Sequence, residues 1–223
     1  MHRPACQRPQ HAENQFTNYY GRVREGISLV GRLTGWRERP FAACAIVLLA
    51  LAACAVSLVA APGLPGYLGA GLALIALAIA VIDARFFIIP NELSAAAFAL
   101  ALVNAASETP DAIWEAAALA VLRGGVLALL FFGLRTLYRR LRGRDGIGLG
   151  DVKLAGVAGA WLDWMTLPIA IEIAALAAIA MFAVRYYAGN RAFDAALKFP
   201  FGLFLAPSIW IGWLIEVTLL APG

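Results

Sequence analysis

The chain has 223 residues, 62% hydrophobic and only 14% charged, with a formal net charge of +4. Soluble domains carry about 25% charged residues. This composition therefore excludes an ordinary soluble fold and points to an all-α, polytopic integral membrane bundle, with no nucleic acid among its partners and membrane lipids as its surroundings. The three cysteines, Cys6, Cys44 and Cys54, show no C-x-x-C spacing. They read as small packing residues rather than zinc ligands or a disulfide framework, and no metal or cofactor is expected.

Residues 1–40 are polar and basic, and Arg22, Arg24, Arg32, Arg37 and Arg39 alternate there with apolar residues. They are expected to form a loosely ordered cytoplasmic segment that rests in part on anionic lipid, without a secretory signal peptide. Residues 41–223 form the membrane domain. A helix needs roughly 20 apolar residues to cross the hydrocarbon core. Residues 41–61 meet this length without a charge, Pro62-Gly63-Leu64-Pro65 turns the chain, and residues 66–82 return. Residues 93–106 are apolar but short, and 112–134 span fully despite Glu115 and Arg123. Residues 152–162 are short again, and 165–187 and 199–220 complete a set of about seven spans.

Lysine and arginine favour the cytoplasmic side. With the N-terminus inside, the inner loops hold Arg85, then Arg135, Arg139, Arg140, Arg142 and Arg144, then Arg185, Arg191 and Lys198. The outer connections, PGLP, SETPD and LDWM, have no basic residue, and the C-terminus falls outside. Trp114, Trp161 and Trp164 are placed near the outer interface, where an amphipathic ring is comfortable.

Each short span follows an aspartate-bearing inner segment, VIDARFFIIPNELS or GIGLGDVKL. A helix of about 14 residues rises only about 21 Å. It avoids mismatch by starting below the membrane surface, which recesses Asp83 and Asp151 into a water-reachable hollow. Two carboxylates sharing a site do not both ionise easily, so one keeps a proton. Such a pair can activate water with one member and protonate a peptide carbonyl with the other. Asp83 lies at a helix C-terminus and Asp151 at an N-terminus. The helix dipoles then favour Asp151 as the ionised base and Asp83 as the protonated acid. Gly148 and Gly150 allow a tight turn and close backbone approach. Pro90-Asn91-Glu92 reads as a helix start, with Asn91 capping and Glu92 at the positive end, where it can also attract a basic peptide.

Three segments, in this order, resemble the type IV prepilin peptidases: IDARFFIIPNELS (residues 82–94), GIGLGDVKLAGVAGAWLDWMTLP (146–168) and KFPFGLFLAPSIW (198–210), with Leu203 where that family often has proline. The resemblance covers roughly residues 66–215. It implies a G-x-G-D-type aspartic endopeptidase of the bacterial inner membrane that removes a short basic leader from prepilins or pseudopilins. Cleavage is expected after a glycine, just before a hydrophobic helix, on the cytoplasmic side. By this match Asp83 and Asp151 are the catalytic pair, and Gly148, Gly150, Lys153, Pro90, Asn91 and Glu92 shape the site or meet the substrate. The cysteine-rich insert of the family's larger members has no counterpart, so the chain looks like the short peptidase-only forms and methyl transfer from S-adenosylmethionine is not expected.

A presenilin-like intramembrane protease also uses G-x-G-D, but with a Tyr-Asp pair where this chain has Ile82-Asp83. An ion- or proton-coupled transporter with recessed carboxylates is the rival from another class, and an inactive assembly factor a further one. Arg123, near the middle of the fourth span, is expected to pair with Glu172 or Glu115, or to snorkel. Asp145 and Asp163 are the remaining candidate acids, both expected where water reaches them.

Overall fold

The computed structural model describes residues 40–143, 146–187 and 200–220. The basic segment 1–39, Arg144, Asp145, Arg191, Lys198 and Phe199 lie outside these residues, as does the side chain of Arg185. The chain divides into two compact units, residues 1–48 and 49–223. The described part of the first is the opening stretch of one helix; the second carries all that follows.

All seven expected helices form: α1 Pro40–Ala60, α2 Leu64–Phe86, α3 Asn91–Glu108, α4 Ile113–Arg142, α5 Leu149–Trp161, α6 Thr166–Tyr187 and α7 Gly202–Ile215. A 3₁₀ turn, Pro110–Ala112, leads into α4, and a π turn, Glu216–Leu220, extends α7. Five segments are long and apolar enough to cross a membrane: those of α1, α2, α4 with its leading turn, α6, and α7 with its π turn. The other two helices, α3 and α5, are the short ones anticipated from sequence. The largest boundary difference is in α4, which runs to Arg142 and takes Arg135, Arg139 and Arg140 into its last turns. Cations there complement the negative end of the helix dipole. Gly143 then stops the helix at φ 69°, a conformation that suits glycine.

The core is built around α5. From Leu154 to Trp161 every residue is buried, so over this stretch the helix has no solvent or lipid face. Its run of Ala and Gly allows neighbours to approach to backbone contact. A Cβ on Gly124 of α4 would stand 2.7 Å from the Gly156 carbonyl oxygen, and one on Gly159 2.6 Å from that of Arg123. α3 packs on the same helix, and the Trp161 indole N–H donates to the Ala97 carbonyl at 2.9 Å. Trp161 is therefore a core residue, 4% exposed, and not a member of an interfacial belt. Trp114 and Trp164 are exposed, as expected of belt residues.

The second seam joins α2 to α7. α2 buries Leu68, Leu72, Ala76, Ile79 and Asp83, a stripe at helical spacing that ends on a carboxylate. Opposite it, the Trp213 ring lies over Gly69, where a Cβ would come within 2.0 Å of the ring. α6 packs on α7, and Leu162, just past α5, fills the space beside Gly212. The outer surfaces of α1 and α4 are rich in exposed Leu, Val and Phe, as surfaces facing hydrocarbon must be.

Candidate active site

Asp83 sits in the last turn of α2, 4% exposed. Its Oδ2 accepts the Leu203 N–H at 3.0 Å, from the first turn of α7. The α2–α7 seam thus ends on this carboxylate. Just beyond it the chain turns sharply: Phe87 adopts φ 54°, and its N–H donates to the Asp83 carbonyl at 2.9 Å. A left-handed conformation at a non-glycine residue costs about 1–2 kcal/mol, and here it directs Ile88, Ile89 and Pro90 back across the end of the bundle.

Asp151 occupies the first turn of α5, where its Oδ2 accepts the Gly148 N–H at 3.1 Å. This bond caps the helix start from inside. Gly148 has ordinary extended geometry, φ −71°. What the glycine supplies is space: a Cβ there would lie 3.1 Å from Asp151 Oδ2. Gly150 is helical, and its missing side chain makes room for Ile89, which would stand 3.0 Å from a Cβ at that position.

Ile89 connects the two acids. It is buried, and it packs against Gly150, which precedes Asp151, and against Gly202, which precedes Leu203. A Cβ on Gly202 would meet Ile89 Cδ1 at 2.7 Å and Asp83 Oδ2 at 2.9 Å. The turns bearing Asp83 and Asp151 therefore share one end of the bundle. Ile89, Gly202 and the Leu203 N–H join the site only through the fold. Their signal was an apolar run, Phe86–Ile89, in a connection where an exposed loop would be polar.

The other predicted residues surround this end. The Lys153 ammonium donates to Asn91 Oδ1, tying the first turns of α3 and α5 together. Asn91 does not cap α3. The cap position is Pro90, with ψ 137°, and Asn91 is the first helical residue with its side chain turned to Lys153. Proline fixes the entry angle without needing a side-chain bond. Its carbonyl accepts the Ser94 N–H at 3.2 Å and the Ser94 hydroxyl at 3.1 Å. Glu92 lies in the first turn and is exposed. Among the described residues, no group of three or more His, Cys, Asp or Glu could hold a metal ion.

Arg123 departs from expectation. Its partner is Asp163, in the α5–α6 turn at the opposite end of α5, rather than the exposed Glu172 or Glu115. Its side chain reaches along the bundle to a water-accessible carboxylate, combining the pairing and the snorkelling anticipated for it.

A bundle of membrane-length helices that brings two carboxylates to one end, each bonded to a backbone N–H, defines the class as a di-carboxylate membrane protein. Residues 70–183 match the model of the type IV leader peptidase family, and the chain belongs to that family. It is 34% identical over 210 residues to the prepilin leader peptidase/N-methyltransferase of Burkholderia pseudomallei strain K96243, covering 92% of this chain and 64% of the relative. It is also similar to leader peptidase HopD of Salmonella typhimurium, 38% identical over 108 residues (48% of this chain and 63% of that one). HopD of Escherichia coli is 31% identical over 134 residues, which cover 59% of this chain and 82% of that one. The chain thus spans a little under two thirds of the first two of these relatives. No solved structure matches the chain.

Proposed function

We propose that the chain is an aspartic endopeptidase of the bacterial inner membrane that cleaves the basic leader from prepilins or pseudopilins at the cytoplasmic face. Asp83 and Asp151 are its catalytic pair. The observation that carries this reading is the junction at Ile89, which packs against Gly150, next to Asp151, and against Gly202, whose neighbour Leu203 bonds to Asp83. Family membership supplies the substrate class.

In this mechanism the substrate's apolar helix stays in lipid and its scissile peptide lies at the end of the bundle. Asp151, at the positive end of α5, is the base that takes a proton from water. Asp83, at the negative end of α2 and among apolar neighbours, starts protonated and gives its proton to the peptide carbonyl oxygen. Attack by the water then yields a tetrahedral intermediate. Its collapse breaks the C–N bond: the proton held at Asp151 passes to the leaving amine, and a hydroxyl proton of the intermediate returns to Asp83 as the new carboxyl group forms. The pair shares one proton before and after the cycle and titrates as a unit. The Leu203 and Gly148 N–H bonds fix the two carboxyl groups in place. Exposed Glu92 draws the basic leader toward the site.

Methyl transfer is not part of the proposal. Only residues 61–63 separate α1 from α2, leaving no room there for the cysteine-rich insert associated with that activity. Mass spectrometry of the N-terminus of a co-expressed prepilin tests both points. The expected product is a shortened, unmethylated pilin, absent when either Asp83→Asn or Asp151→Asn is present in the membrane at wild-type level. An intact leader with the wild-type enzyme, or cleavage that survives either substitution, contradicts the reading.

A further inference from the structure

Arg123, Asp163 and Glu216 take no part in the chemistry above, yet they are joined. Arg123 Nη1 donates to Asp163 Oδ1, and the Asp163 N–H donates to Glu216 Oε1 at 2.7 Å. The Arg123 side chain is 17% exposed and that of Asp163 69%, so the pair runs from inside the bundle to its surface. One residue of the α5–α6 turn thus holds α4 through its side chain and the end of α7 through its backbone.

The helices held there are the ones that build the candidate active site. α5 carries Asp151 in its first turn and is followed by Asp163. α7 presents the Leu203 N–H to Asp83 in its first turn and is followed by Glu216. At 1.5 Å per residue, the 13 residues of α5 make a rod about 20 Å long. A hydrogen-bonded rod is stiff along its axis, so a shift at one end is delivered to the other. The contact of α4 with α5 is backbone on backbone around Gly124, Gly156 and Gly159. The ionic and hydrogen-bonded tie adds a directional hold beyond that packing.

We propose that Arg123, Asp163 and Glu216 are positioning residues: their tie sets the axial offset of α5 against α7 and so the spacing of Asp151 from Asp83. This rests on the peptidase reading for its kinetic consequence but not for its structural one, and the two are measured separately. The full chain is reconstituted in lipid vesicles. Hydrogen exchange at the Leu203 amide, the donor to Asp83, is followed without substrate. Cleavage of a prepilin is followed for kcat and KM.

Two pairs of variants separate positioning from simple loss of structure. Arg123→Gln removes the charge and Arg123→Lys keeps it; Glu216→Ala removes the acceptor and Glu216→Gln keeps one in its amide oxygen. Misplacing reacting groups by about 1 Å can cost about 100-fold. Arg123→Gln and Glu216→Ala are therefore expected to lower kcat by about 10- to 100-fold with KM nearly unchanged, and to speed exchange at Leu203 several-fold. Arg123→Lys and Glu216→Gln recover most of both losses. Unchanged Leu203 exchange in Arg123→Gln and Glu216→Ala overturns the proposal, whether or not the protein cleaves. So does a fall in kcat that the conservative partners do not recover. If Leu203 exchange responds as expected but the wild-type protein cleaves no prepilin, the positioning role stands and the peptidase reading falls.

Discussion

The two ends of α5 each have an aspartate close by, and their surroundings differ. Asp151, at one end, bonds to the neutral Gly148 N–H and shares its end of the bundle with a second acid, Asp83. Asp163, beyond the other end, meets the guanidinium of Arg123. A carboxylate held by a guanidinium is an anchor, because giving up its charge would leave the arginine unpaired. One held by a backbone amide beside another acid is free to trade a proton. The same residue type thus serves support at one end and, in the proposed mechanism, chemistry at the other.

Substitution of the acids separates the ends most sharply. Asp83→Asn or Asp151→Asn is expected to lower cleavage by at least about 100-fold, the scale of general acid–base catalysis, with the protein still in the membrane. Asp163→Asn should cost less than either, and a loss as large as theirs would erase the distinction. Glycines give the next contrast. Gly202→Ala drives a Cβ toward Ile89 and Asp83 and is expected to lower kcat about tenfold, as a small misplacement of a reacting group does. Gly133→Ala, which meets nothing within 4 Å, should leave cleavage intact. Away from the site, Gly69→Ala forces the Trp213 ring to move and should lower stability by about 1–3 kcal/mol in a detergent melt. The smallest effect is expected of Trp161→Phe, which deletes the bond to the Ala97 carbonyl at a cost of about 1 kcal/mol, read in the same melt.

Much of this plan was legible in the sequence, because length and apolarity alone mark a membrane helix. The seven helices followed from hydropathy, and the placing of Asp83 and Asp151 at one end followed from counting crossings. Other features depend on how each helix is rotated and what lies against it, which a count of spans does not carry. Trp161 reads as a belt residue by its position near a span end, but α5 is covered on every side there. Depth alone pairs Arg123 with Glu172 or Glu115, whereas the length of its side chain lets it reach a turn farther along. Asn91 has the composition of a cap, yet Pro90 holds that position and Lys153, distant in sequence, claims the side chain. Ile89 had the weakest signal, since its meaning comes from Gly150 and Gly202, which the fold brings to it from two other segments.

The proposed chemistry requires Asp83 and Asp151 to be neighbours in the folded membrane protein. Cysteine pairing measures this directly: Asp83→Cys and Asp151→Cys are combined in a chain whose own three cysteines are replaced, and treated in native membranes with a short bifunctional thiol reagent. The prediction is an intramolecular cross-link that fails when either cysteine is moved to Asp163 or Asp111. Absence of the link at 83 and 151, with both thiols shown to be reactive, would contradict the shared site.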